Sequence, residues 1–155
     1  MKASGLNRNN ATVLVVEDSP DMQRYLRVLL QLDGYQVDLA GSCEEALRHL
    51  REGSVASVVL LDIQMPGING IETLRILRQV RPDLKIIMCS GVDNPDTIRE
   101  AISLGAQAYL VKPVQHLYLS AAVERCLIRD VFSAADGPLN QRVVPWPLPH
   151  SSRFN

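Results

Sequence analysis

Thr12–Pro20, TVLVVEDSP, decides the fold. Its first five residues are β-branched or apolar, too few for a helix, and end abruptly in Glu17 and Asp18, so they read as a buried strand. Asp18-Ser19-Pro20 then offers a helix cap with proline in the first turn, and Met22, Tyr25, Leu26, Leu29 and Leu30 follow at helical spacing. One strand, an acidic step and one helix thus occupy about twenty residues.

Outward from this unit the pattern repeats. Ser57–Ile63 (SVVLLDI), Leu84–Ser90 (LKIIMCS) and Ala108–Val111 (AYLV) read as further buried strands, while Tyr35–Ala40 (YQVDLA) alternates as a half-exposed edge strand does. Ser42 with Glu45 predicts a capping box ahead of Ala46, Leu47 and Leu50. Gly70 precedes a helix through Leu77 and Val80 that Pro82 stops, Pro95-Asp96 open another that ends at Gly105, and a last helix is expected from about Val114 to Arg129. Five strands alternating with five helices imply parallel strands, right-handed crossovers and helices on both faces, a doubly wound α/β domain.

The flanks differ from this body. Residues 1–10 are polar and Asn-rich and are expected to be flexible; residues 11–130 form the domain; residues 131–155 hold four prolines and one Trp, and Val143–Pro149 (VVPWPLP) favours an extended path. No output domain is expected in this tail. The chain has 155 residues, 46% of them hydrophobic, enough for one core but not for two full domains. No apolar run reaches the ~18 residues of a membrane span and no export signal is visible. Cys43, Cys89 and Cys126 lack zinc spacing and are odd in number, so they read as reduced thiols of a cytoplasmic protein. Between Ala11 and Asp130 there are 12 basic and 16 acidic residues, a balance of −4 that argues against direct nucleic-acid binding.

In open α/β sheets ligands sit beyond the carboxyl ends of the strands. Glu17 and Asp18 follow the first strand there, Asp62 ends the third, Ser90 the fourth, and Lys112 follows the fifth. Three carboxylates at neighbouring strand ends raise one another's pKa unless a cation neutralises them. A hard divalent ion such as magnesium suits an all-oxygen set, whereas zinc does not, since neither Cys nor His shares the cluster. Asp62 is then a nucleophile toward a phosphoryl group, with Lys112 balancing charge and Ser90 binding a phosphoryl oxygen. Taken singly, Glu17-Asp18 could be solvated loop charges, Ser90 a turn hydroxyl, and Met65-Pro66-Gly67 a plain turn.

VVEDSP, LLDIQMPGING, MCSG and YLVKP together resemble the response-regulator receiver domains of two-component signalling, over about Thr12–Arg129. The resemblance implies a flavodoxin-like sheet in the order 2-1-3-4-5 and a phosphoacceptor signalling protein rather than an enzyme in the ordinary sense. It implies phosphorylation of Asp62 by a histidine kinase or phosphotransfer protein. Magnesium, for which manganese could substitute, would be bound by Asp18, Asp62 and the backbone carbonyl of Gln64, with Glu17 assisting. It further implies a cis Lys112-Pro113 bond and a switch in which Ser90 moves toward the phosphate while Tyr109 turns inward. Glu17 departs from the aspartate that many members carry at its position. A receiver-like scaffold that is never phosphorylated is the alternative; a nucleotide or flavin enzyme is disfavoured because no glycine-rich loop follows the first strand.

In the last helix Leu119, Ala122, Val123, Cys126 and Leu127 make one stripe for packing on the sheet, yet Leu117, Tyr118, Ala121 and Ile128 are apolar on other sides. That excess predicts a second covered face: an output or dimer interface, or a contact with the tail that carries Trp146.

Overall fold

The computed structural model describes residues 11–132, with side chains through Ile128; the expectations for residues 1–10 and for the tail after Phe132 lie outside the described residues. Ten elements alternate: β1 (Thr12–Val16), α1 (Pro20–Leu32), β2 (Gln36–Ala40), α2 (Cys43–Arg51), β3 (Ala56–Leu61), α3 (Gly70–Val80), β4 (Lys85–Ser90), α4 (Pro95–Ser103), β5 (Ala108–Val111) and α5 (His116–Phe132). The strands form one parallel sheet in the order β2-β1-β3-β4-β5. This is the doubly wound α/β arrangement that the alternation predicts, in the strand order that the resemblance implies.

Period-two alternation divides the core between the faces of the sheet. Leu14, Val16, Val59, Leu61, Ile86 and Met88 pack with Ala46, Leu74, Leu77 and Ala101 of α2, α3 and α4. Val13, Val15, Val58, Leu60, Ile87 and Cys89 pack on the other side with Leu26 and Leu30 of α1 and Leu119, Ala122, Val123 and Cys126 of α5. Each large side chain fully buried in this way contributes about 1.5–3 kcal/mol of transfer free energy. All three cysteines are buried, and burial pushes the Cys89 thiol up to about 12, so it packs as a neutral hydrophobe.

Helix starts follow local chemistry. Ser19 Oγ accepts from Met22 N at 3.3 Å and Ser42 Oγ from Glu45 N at 3.1 Å, whereas Asn69 and Asn94 cap α3 and α4 without having been read as caps. The Ser42 box is not reciprocal, because the Glu45 carboxylate accepts from Gly41 N and not from Ser42 N. α5 begins at His116 and runs through Phe132, later at both ends than expected, with Val114 buried in the core ahead of it. β2 is also less regular than the alternation suggested, Val37, Asp38 and Leu39 all being half-buried because α1 and α2 flank both of its faces.

Register brings the site together. Val16 lies beside Leu61, and Ser90 beside Val111, so the chain leaves β1 and β3 side by side and leaves β5 next to the end of β4. The ladder extends one step further through Asp62 N to Val16 O (3.1 Å), Glu17 N to Ala40 O (2.9 Å) and Lys112 N to Ser90 O (2.9 Å). β3 ends at Leu61, so Asp62 is the first residue beyond the strand and not its last.

A buried acidic site at the carboxyl end of the sheet

Glu17 and Asp62 are buried and Asp18 is exposed, yet the three offer carboxylate oxygens lying within 4.8 Å of one another, the one such cluster among the described residues. Lys112 reaches across from the end of β5. Its ammonium donates to Glu17 Oε1 at 2.8 Å and to Asp62 Oδ2 at 3.2 Å. The remaining oxygens are held locally: Glu17 Oε2 accepts from Ser19 N (3.1 Å) and Asp62 Oδ1 from Gln64 N (3.1 Å).

One ammonium thus faces three carboxylates. Burial, aided by the negative charge of Asp62, holds the Glu17 carboxyl above the ordinary carboxylate range despite its bonds to Lys112 and Ser19. Burial alone would lower the Lys112 ammonium, but its bond to Glu17 and the charge of Asp62 outweigh it and hold Lys112 above its usual value. The donor set is all oxygen, negatively charged beyond what Lys112 balances, and open to solvent on the Asp18 side. It fits a hard divalent cation such as Mg2+.

The acceptor position is also fixed sterically. A Cβ built on Gly70 would stand 2.2 Å from the Asp62 carbonyl oxygen and 2.4 Å from Ile63 Cα, while Gly70 N donates to Ile63 O at 2.9 Å. The first turn of α3 therefore lies directly on the backbone of Asp62, and only glycine permits the approach. The sequence signal existed, since Gly70 precedes a helix, but helix-start rules say nothing of what the glycine leans on.

Ser90, fully buried, ends β4, and its Oγ accepts from Val92 N at 3.1 Å. Tyr109 of β5 is also fully buried, and its hydroxyl donates to Val92 O at 2.6 Å beside Ser90. Burial raises the phenol, with the Ser90 hydrogen bond opposing. Both hydroxyls thus meet at Val92 in the β4–α4 loop, a residue that no motif singled out. Gln64 is exposed beside Asp62, its amide oxygen 3.3 Å from where a Cβ on Gly91 would lie, and the Lys112-Pro113 bond is cis.

The four residues predicted as an interface lie elsewhere, on α5. Leu117, Tyr118, Ala121 and Ile128 are all exposed, whereas Leu119, Ala122, Val123 and Cys126 face the core. α5 is tied to α1 by contacts that the sequence did not announce. Tyr25 donates to Val114 O at 2.6 Å, and Asp33 accepts from both His116 (3.1 Å) and Ser120. No helix among the described residues is long and apolar enough to cross a membrane.

Residues 13–124 match the family described as the response regulator receiver domain. The chain is 34% identical over 133 residues to the transcriptional regulatory protein ZraR of Escherichia coli strain K12, a match that covers 86% of this chain and 30% of that protein. It is 39% identical over 105 residues to the transcriptional regulatory protein MalR of Bacillus subtilis strain 168, covering 66% of this chain and 44% of MalR. The chain therefore spans under half the length of these two relatives. Among solved structures, a response regulator receiver domain protein of Clostridium thermocellum superposes with a TM-score of 0.74 at 31% identity, covering 79% of this chain and 98% of that one. The response regulator TrrA of Thermotoga maritima, solved in complex with Mg2+ and a beryllium fluoride, gives a TM-score of 0.68 at 33% identity, covering 75% of this chain and 98% of TrrA. With the sheet order, the acidic cluster and these likenesses in agreement, the chain belongs to the response regulator receiver domains of two-component systems.

Proposed function

We propose that Asp62 of this receiver accepts a phosphoryl group from the phosphohistidine of a histidine kinase or phosphotransfer protein. The observation that carries the reading is the Asp62 carboxylate, buried beside Glu17 and Asp18 and bonded on one oxygen by Lys112. An Asp62 oxygen attacks phosphorus, an O–P bond forms, and the P–N bond breaks with its electron pair remaining on the imidazole, which takes a proton from solvent. Lys112 is placed to follow the developing negative charge, since it already contacts Asp62 at 3.2 Å. Glu17, Asp18 and Asp62, with the backbone carbonyl of Gln64, would hold Mg2+, or Mn2+ in its place, which when bound would offset negative charge on the phosphoryl oxygens.

Ser90 and Tyr109 carry the change outward. The Ser90 hydroxyl that now accepts from Val92 N would turn to donate to a phosphoryl oxygen, leaving Val92 N without that acceptor and releasing the β4–α4 loop. Tyr109, bonded to the carbonyl of the same Val92, couples the loop to β5. Phosphorylation then shifts an equilibrium between two loop arrangements by its differential interaction with each. The readout passes to a downstream protein or a second copy through the face that includes Leu117, Tyr118, Ala121 and Ile128.

Incubation with acetyl phosphate and Mg2+, followed by intact mass, tests the reaction. Wild type is expected to gain one phosphoryl group, about 80 Da; Asp62→Ala and a chelated control are expected to gain none. No gain in wild type, under conditions that label another receiver, would favour an unphosphorylated scaffold.

A further inference from the structure

Lys112 is tied at both its backbone and its head. Its N–H donates to Ser90 O at 2.9 Å, and its ammonium reaches Glu17 and Asp62. Only Pro113, Val114 and Gln115 separate it from the first residue of α5. Pro113 and Gln115 are exposed, whereas the Val114 side chain is buried in the core that α1 and α5 share. The Val114 carbonyl accepts from the Tyr25 hydroxyl of α1 at 2.6 Å, a bond between residues 89 positions apart that belongs to no helix or strand ladder.

α1 also holds the partner of Lys112. Ser19, its cap, donates its N–H to Glu17 Oε2 at 3.1 Å, and Gln23 Nε2 donates to the Glu17 carbonyl at 2.5 Å. Gln23 and Tyr25 are only about 3 Å apart along the helix axis, at about 1.5 Å of rise per residue. Glu17 and Val114 are thus fixed to the same short length of α1, and the 2.8 Å bond from Lys112 to Glu17 closes the ring. Pro113, whose φ is locked, leaves little slack between Val114 and Lys112. A buried ion pair repays its desolvation only at good geometry, so a small shift of Val114 weakens the pair.

We propose that Tyr25 is a positioning residue: by fixing Val114 O to α1, its hydroxyl sets where the Lys112 ammonium falls between Glu17 and Asp62. The importance of this for phosphoryl transfer rests on the reading of Asp62 as phosphoacceptor; the hold on Lys112 does not. Without the hydroxyl the ammonium balances the two carboxylates less completely and leaves them more negative toward a cation.

A double-mutant cycle of Tyr25→Phe with Lys112→Met tests the link, read without metal by urea unfolding and with Mg2+ by calorimetric titration. The hydroxyl of Tyr25 bonds to Val114 and not to Lys112, and sites that share no partner add. The midpoint shift of the double variant is therefore expected to be smaller than the sum of the single shifts. Tyr25→Phe is also expected to tighten Mg2+ binding, by up to about fivefold, the effect of weakening one unit charge at about 4 Å in a water-like setting, and to change nothing further in Lys112→Met. Ser120→Ala removes the other α1–α5 contact, at Asp33, and should add to Lys112→Met without coupling. Additive midpoints for Tyr25→Phe would make its hydroxyl a plain tether and overturn the proposal. Coupling as large for Ser120→Ala overturns it too, since the whole α1–α5 contact would then hold the lysine. Mg2+ affinity left unchanged or lowered by Tyr25→Phe overturns it equally, because general loosening of the site does not tighten a cation. Should Lys112→Met not fold, that titration decides alone. A wild type that binds no Mg2+ would count against the proposed function and leave the urea cycle to decide.

Discussion

The two ends of the sheet treat ionisable groups in opposite ways. At the carboxyl end Glu17, Asp62 and Ser90 are buried, the two carboxylates accepting from Lys112 and Ser90 Oγ accepting from Val92 N of its own loop. At the amino end the loop before β4 carries Arg81 and Asp83, a bidentate pair in which Asp83 remains largely in water. A sheet needs only turns at either end. Burying carboxylates costs several kcal/mol per ion unless they are paired, so their burial at one end marks that end as functional.

Substitutions at the two ends should therefore differ in size. The largest effect is expected from Gly70→Ala, where the new methyl meets backbone that cannot swing aside. It should destabilise by about 3 kcal/mol or more, at the top of the range for overpacking, and slow the labelling of Asp62, as measured by urea unfolding and intact mass. A loss under about 0.5 kcal/mol would mean that α3 can slide off Asp62 and that the acceptor is not sterically fixed.

Lys112→Met removes the one ammonium from Glu17 and Asp62. Stability without metal should fall by about 3 kcal/mol, the low end for breaking a buried pair because the lysine is partly open to solvent. Mg2+ at a hundred times its Kd should return about 2.7 kcal/mol. Equal unfolding midpoints with and without Mg2+ in this variant would sever the link between charge excess and cation binding.

The amino end offers two smaller tests. Gln107, buried at the start of β5, has a side-chain oxygen with no hydrogen-bond partner. Gln107→Leu should be neutral or stabilising by up to about 1 kcal/mol in thermal unfolding. A clear loss would mean that this end also holds a polar contact under load.

Asp83→Asn should cost about 0.5 kcal/mol or less at neutral pH, as exposed pairs do. The hydrogen bond from Arg81 holds the Asp83 carboxyl below its ordinary value against a small opposing effect of burial. Its contribution is thus fully present above the unfolded-state pKa near 4 and is lost as pH falls through the folded value. Wild type and Asp83→Asn should converge in stability in acid; a gap that persists there would assign the effect to packing.

Much of this contrast was legible before the structure. Four runs of β-branched residues ending in Glu17, Asp62, Ser90 and Lys112 placed the polar groups at strand ends, because strand length and side-chain period are local properties. The same rules carried β3 two residues too far, through Asp62 and Ile63, and set α5 two residues early at its start and three short at its end, since element ends depend on tertiary hydrogen bonds such as Asp62 N to Val16 O. Asn69 and Asn94 cap α3 and α4 with a residue type that is itself a local helix-start signal. Val92 was not readable, because its importance comes from Ser90 and Tyr109 meeting there.

By itself, then, the sequence determined the alternating elements, the split of apolar residues between two faces of a parallel sheet, and the set of oxygen and ammonium groups at its carboxyl end. These follow from periodicity and local propensity, which a linear chain carries in full. Only the tertiary structure decided that Lys112 bonds to both Glu17 and Asp62, that Gly70 rests on the Asp62 carbonyl, and that Asp33 joins α1 to His116 and Ser120 of α5. Most of these contacts join residues fifty or more positions apart. Distance along a chain says nothing about distance in space until the register of the strands has set it.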